Sequence, residues 1–172
     1  FGGEPFTDPA KLDLLLAAID RLASVKPVFL KLPADLAPAE LDALLDVSTR
    51  HRVDGYICSN LTKRRDNPRV IERDVPAKGG LSGKPTELLA NALISHCYQR
   101  LRGRAIIIGS GGVFTAEDAY VKIRLGACLV QLITGMIYRG PQAIGEINQG
   151  LVRLLKRDGY TNVSQAVGAG HR

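Results

Sequence analysis

Two glycine-rich stretches, GGLSGKP at residues 79–85 and IIIGSGG at 106–112, flank a single predicted helix. Glycines after a strand let backbone N–H groups approach a ligand with no side chain in the way. Gly111, Gly112, Thr134 and Gly135 could in this way present donors that, with a helix N-terminus, suit a doubly charged phosphate. Lys84 and Ser82, within the first stretch, raise the same question. Lys31 closes the apolar run PVFLKL, where a lysine is rarely buried without a partner, and a fixed cation there could stabilise negative charge on a ligand or cofactor ring. Ser59 and Asn60 close the run VDGYICSN and suit an uncharged, amide-rich ligand edge. Each feature also has a plainer explanation. Glycines allow a strand to turn into a helix, a lysine can snorkel to the surface, and Ser-Asn can start a turn.

The elements that must position these residues alternate. TDPAKLDLLLAAIDRL predicts a helix with Asp8 as N-cap, Pro9 at its first position, and Leu12, Leu15, Leu16, Ile19 and Leu22 on one face. PVFLKL predicts a buried strand stopped by Pro33. Pro38 opens a second helix with Leu41, Leu44 and Leu45 aligned, and VDGYICSN is the next strand. Residues 61–80 turn polar and charged, long for a connection, as expected of a functional or mobile loop. Pro85 opens a third helix, AIIIGS is a third strand, and Thr115 with Asp118 forms a capping box for a helix ending near Gly126. CLVQLIT is a fourth strand, followed by a long helix from Pro141 with Ile144, Ile147, Leu151, Leu154 and Leu155 inward.

Four nearly continuous apolar strands alternating with helices predict an α/β protein with a parallel sheet covered by helices. A complete (β/α)8 barrel has eight strands in about 250 residues. The 172 residues here fit about four β/α units, the C-terminal half of such a TIM barrel, better than a doubly wound sheet lacking its GxGxxG turn. The chain begins at Phe1 and its only methionine is Met136, so a processed product or part of a longer chain is expected.

Composition narrows the partners. The 23 Lys and Arg against 17 Asp and Glu leave a net charge of +6, which favours an anionic ligand, an acidic surface or a membrane face. Nucleic acid is not expected: the basic residues are scattered except at TKRRDNPR, and aromatics do not interleave with them. No run approaches the roughly 18 apolar residues of a membrane span. Cys58, Cys97 and Cys128 show no metal spacing and read as small buried apolar residues in a reducing compartment. His51, His96 and His171 form no sequence cluster with Asp, Glu or Cys, and no metal site is predicted.

GGLSGKP, IIIGSGGV, KIRLGACLVQLITGMIYRGP and the closing VSQAVGAGHR, with PVFLKLPADL and VDGYICSNLT in the right order, resemble the quinone-linked (class 2) dihydroorotate dehydrogenases over essentially the whole chain. The resemblance implies an FMN-containing barrel that oxidises dihydroorotate to orotate in pyrimidine synthesis and passes electrons to a membrane quinone. It implies that Lys31 contacts the flavin ring and Ser59 hydrogen-bonds it. Gly83, Gly112, Ile133 and Thr134 would hold the FMN, the last three near its phosphate, beside Gly111 of the same turn. Asn60 and Leu61 would face orotate. The family usually has threonine where Leu61 stands, tyrosine at Ile133 and an apolar residue at Ser110. Its catalytic base is a serine in sequence preceding the match to Phe1, as are the membrane-docking helices. A peripheral location at the bacterial or mitochondrial inner membrane is implied for the parent protein, with this chain a partial FMN-binding domain over residues 1–172. Two other readings accompany this one: a non-catalytic half barrel binding FMN or phosphate, and a different phosphate-binding barrel such as one acting on a sugar phosphate. The last does not account for Lys31 together with SNLT and GGLSGKP.

Overall fold

The computed structural model describes residues 5–171. After a short 3-10 turn at Pro5–Thr7, the chain alternates helix and strand: α1 (Pro9–Arg21), β1 (Phe29–Leu32), α2 (Pro38–Ser48), β2 (Gly55–Cys58), α3 (Glu87–Leu101), β3 (Ile106–Ser110), α4 (Ala116–Arg124) and β4 (Leu129–Gln131). Three further helices follow: α5 (Thr134–Arg139), α6 (Gln142–Arg157) and α7 (Val163–Ala166). The strands form one parallel sheet in the order β1-β2-β3-β4, with Lys31 opposite Ile57, Ile57 opposite Ile108 and Ile108 opposite Leu129. This is the run of four β/α units that the sequence predicts.

Local chemistry starts and stops the helices as expected. Asp8 accepts from the backbone N–H of Ala10 at 2.9 Å, capping α1 ahead of Pro9. Thr115 and Asp118 exchange side-chain-to-backbone bonds at the start of α4. The helix-facing side of the sheet buries Leu32, Tyr56, Cys58 and Ile107 against Leu12 and Leu16 of α1, Leu41, Leu44 and Leu45 of α2, and Leu93, Ile94 and Cys97 of α3. Burial of each large aliphatic side chain stabilises the fold by about 1.5–3 kcal/mol. The buried Tyr56 hydroxyl is satisfied, lying 2.7 Å from that of Ser48.

Several expectations change. Leu22 lies past the end of α1 and is 75% exposed. The strand predicted to reach Thr134 ends at Gln131, and Thr134 begins α5. On α6 Ile147 and Leu154 are buried and Leu151 and Leu155 partly so, as expected, but Ala143 and Gly150 join that face while Ile144 is 46% exposed. The helix crosses α4 so closely at Gly150 that a Cβ there would collide with Ala116. Cys58 and Cys97 are buried with their sulfurs 3.8 Å apart, whereas Cys128 is exposed rather than buried. Folding also creates clusters invisible in linear sequence: both ring nitrogens of His51 lie within hydrogen-bond distance of carboxylates, Asp20 at 2.8 Å and Asp13 at 3.2 Å. His96 likewise meets Asp42 at 2.8 Å.

The long connection 61–80 is closed at its base. Thr62 and Leu81 exchange backbone bonds at 3.1 and 2.7 Å, and Arg65 ties the interior by donating to the carbonyls of Lys63, Pro76 and Gly79.

Candidate functional site

The carboxyl ends of the four strands open into one cleft of about 460 Å³, its open mouth included. Lys31, Ser59, Asn60, Leu61, Gly83, Gly111, Gly112, Ile133 and Thr134 all line it. The structure therefore gathers these nine residues, from loops separated by up to about a hundred positions, at one place.

Lys31 stands on the face of β1 opposite the partly buried Leu30 and the buried Leu32, exposed, and has no ion-pair or hydrogen-bond partner among the described residues. A cation without a protein counter-charge at the cleft wall is suited to an anionic or electron-rich ligand. The chain leaves β2 through a cis peptide between Cys58 and Ser59. The Ser59 N–H donates to the Ser110 carbonyl at 3.1 Å and the Asn60 N–H to the Leu32 carbonyl at 2.9 Å, so the two residues are pinned to the ends of β3 and β1 in turn. Asp35 fixes the next step, accepting from the Thr62 hydroxyl at 2.5 Å and the Lys63 N–H at 2.6 Å. These contacts leave the Asn60 and Leu61 side chains at the cleft, Leu61 substantially exposed.

The glycine turn after β3 is shaped by close approach. Gly111 has φ +104° and Gly112 φ +73°, a region that side chains rarely adopt. A Cβ on Gly111 would lie 2.7 Å from the Thr86 hydroxyl, and one on Gly112 would lie 2.8 Å from the Glu87 Cα. The turn is thus pressed onto the first turn of α3. Gly135, at the start of α5, has no room for a Cβ beside the Val113 carbonyl. Backbone groups of both turns consequently face the cleft together. Thr134 donates to the Ser82 hydroxyl at 3.0 Å and sits against Gly83, joining the GGLSGKP loop to the end of β4.

Lys84 does not line the cleft. Its ammonium reaches Asp118 at 2.7 Å and Glu87 at 3.0 Å and lies over the Phe114 ring, 5.6 Å from its centre. Its role is to bolt the loop to α3 and α4. Partial burial works against ionisation of Asp118, but Lys84 and the N–H groups of Phe114 and Thr115 hold its carboxyl below the ordinary carboxylate range. Behind the same turn Lys122 is 0% exposed and donates to Asn91 at 2.7 Å. Burial lowers its pKa to about 8, with Glu87 and Asp118 pulling the other way. The hydrogen bond to Cys97 and burial push the Cys58 thiol up, which disfavours its thiolate.

Ser82, Thr86, Ser110, Val113, Leu132 and Gly135 complete the lining. Ser82 and Gly135 lie inside the quoted motifs, but Thr86 reaches the site only because α3 is preceded by a tight turn, on which its hydroxyl donates to the Gly83 carbonyl at 2.8 Å. Beside the cleft, Ile133, Met136, Ile137 and Tyr138 form an exposed apolar patch, Ile133 being 67% exposed.

A cleft at the carboxyl ends of parallel strands, walled by paired glycine turns, defines a ligand-binding (β/α)-barrel protein. Residues 2–155 match the family model described as dihydroorotate dehydrogenase, and the chain belongs to that family. It is 47% identical over 165 residues to a dihydroorotate dehydrogenase (quinone) of Anaeromyxobacter dehalogenans, covering 94% of this chain and 45% of the relative. The mitochondrial dihydroorotate dehydrogenase (quinone) of Arabidopsis thaliana is 42% identical over 146 residues, covering 85% of this chain and 32% of that protein. A ligand-free DHODH structure from Eimeria tenella superposes with a TM-score of 0.88 at 30% identity, covering 97% of this chain and 51% of the other. The chain thus spans between about a third and a half of the length of these proteins.

Proposed function

We propose that the protein carrying this chain oxidises dihydroorotate to orotate with FMN as its redox group and a membrane quinone as electron acceptor. The observation that carries this reading is the convergence of the nine family-motif residues on one cleft. The cleft fits a flavin nucleotide in three respects. Lys31 is a cation with no protein partner among the described residues, the Gly111–Gly112 turn and Gly135 bring backbone to the cleft edge, and Ser59 and Asn60 offer neutral polar groups there.

When bound, FMN supplies the two-electron chemistry that side chains lack. The chain's own residues bind and orient. Gly83, Gly111, Gly112, Ile133 and Thr134 hold the nucleotide by backbone and hydroxyl contacts, the backbone contact at Ile133 tolerating loss of the family's tyrosine. Lys31 and Ser59 address its ring, and Asn60 addresses the substrate's polar edge, beside Leu61. Among the described residues, those lining the cleft include no carboxylate and no imidazole. The proton acceptor, a serine in the family, is assigned to sequence preceding Phe1. The apolar patch at Ile133, Met136, Ile137 and Tyr138 suits the hydrophobic quinone, and a peripheral location at the bacterial or mitochondrial inner membrane follows from that acceptor. No helix among the described residues is long and apolar enough to cross a membrane.

A second reading, FMN or phosphate binding without catalysis, is favoured by Leu61, an exposed aliphatic side chain where the family places a hydroxyl. Purified full-length protein separates the two. Under the first reading it carries flavin absorbance that bleaches on adding dihydroorotate and returns with a quinone, while orotate accumulates. Flavin that dihydroorotate leaves oxidised would leave the second reading standing. Protein that neither carries nor takes up FMN would sink both.

A further inference from the structure

We propose that Ser110, which no motif assigns a role, hydrogen-bonds the polyhydroxylated ribityl chain of the flavin nucleotide through its side-chain hydroxyl. The inference rests on the flavin reading above.

Alternation along β3 puts Ile106, Ile108 and Ser110 on one face of the sheet and Ile107 and Gly109 on the other. The second face is packed: a Cβ on Gly109 would lie 3.0 Å from Ile94 Cδ1 and 3.2 Å from Lys122 Cδ. The Ser110 hydroxyl therefore stands on the cleft side, above the buried Ile108, and lines the cleft. It is half-buried and has no hydrogen-bond partner among the described residues. The family resemblance places an apolar residue here, so the hydroxyl is not needed to form the turn.

Its neighbours fix which part of the ligand it meets. On one side the Ser110 carbonyl accepts from Ser59, assigned to the flavin ring. On the other, Gly111 and Gly112, assigned to the region near the phosphate, follow directly in sequence. A ligand whose ring reaches Ser59 and whose phosphate reaches Gly112 must lay the chain joining them across Ser110. That chain carries hydroxyl groups that can both donate and accept, as Ser110 can. Desolvated by the ligand, an unpaired serine hydroxyl would disfavour binding, whereas a paired one contributes.

The test uses full-length apoprotein titrated with FMN and with analogues in which the ribityl hydroxyls are removed one at a time. Ser110→Ala is expected to weaken FMN binding about five- to tenfold, the effect of losing one hydrogen bond between neutral groups. Against the analogue lacking the partner hydroxyl, wild type and Ser110→Ala should bind alike, and Ser110→Thr should recover most of the affinity for FMN. Equal FMN affinity of wild type and Ser110→Ala overturns the inference, as does an equal loss against every analogue. Either result leaves the flavin reading intact. Wild-type apoprotein that binds no FMN brings down both, and that outcome is seen before any variant is made.

Discussion

Gly112 meets two demands at once, since its backbone is left-handed and its Cα hydrogens face the Glu87 backbone. Replacing it with alanine adds strain at φ +73° and a clash with α3. Gly112→Ala is expected to lower stability by about 2 kcal/mol or more in urea unfolding of the full-length protein. An unchanged midpoint would show that the turn relaxes freely. Lys122 gives a prediction of a different kind. Its folded-state pKa of about 8 lies below the ordinary value of 10.5. Between those values the unfolded chain holds the proton more tightly, so stability rises as pH increases from about 8 to 10.5. Below about 8 both states carry the charge and the burial cost is constant. The full difference corresponds to roughly 3 kcal/mol. Urea midpoints of wild type and Lys122→Met across this window check it, because the variant should lack that part of the pH slope. Of the residues at the cleft, Lys31, Ser59 and Asn60 are legible in the sequence because each lies at or just past the carboxyl end of an apolar strand. Lys84 is not. Its position after Gly83 says phosphate and loop equally well, and the deciding partner, Asp118, is 34 residues away.

At the scale of elements, α4 and α6 meet through Gly150 and Ala116 with no space for a further methyl group. Gly150→Val should force the helices apart, at a cost of about 1–3 kcal/mol. Pairing it with Ala116→Gly should recover part of the loss, and thermal unfolding of the two variants measures the difference. Helix periodicity marks α6 and most of its inward face, Ile147, Leu151, Leu154 and Leu155, but not its edge: Ile144 looks like a core position, yet the buried stripe takes in Ala143 and Gly150 instead. Small residues carry no hydrophobic signal even when they make the closest contact. The helix α5 gives no signal of its own in the sequence for another reason. Its six residues continue the apolar run of β4, and so short a segment cannot separate a period of two from one of 3.6. Pairings such as His51 with Asp13 and Asp20, 38 and 31 residues apart, likewise arise only once α1 and α2 lie side by side.

At the scale of the whole molecule, the parallel order was legible because each strand is apolar on both faces, which is what a sheet covered on both sides requires. One of those faces carries no covering element among the described residues. Ile106 and Leu129, 41% and 58% exposed, lie on it with Ile133, and β1 and β4 each have a neighbour on one side only. A polypeptide limited to residues 1–172 is therefore expected to self-associate. Light scattering after size exclusion should show species larger than 18.5 kDa, and a clean monomer at micromolar concentration would contradict the expectation.

The closure of residues 61–80 at Thr62 and Leu81 bears on chain connectivity. What the cleft requires from this segment is held below or at that closure, by Asp35 on one strand and by Thr134 on the other. The covalent path through Ile71, Glu72, Arg73 and Asp74, all exposed, serves mainly to join two anchored ends. A protease that cuts at Arg73 should leave a nicked protein whose two pieces stay together and keep the ligand site. By the same logic this stretch is where the gene can tolerate insertions, or new termini in a circular permutant, without moving Asn60 or Gly83.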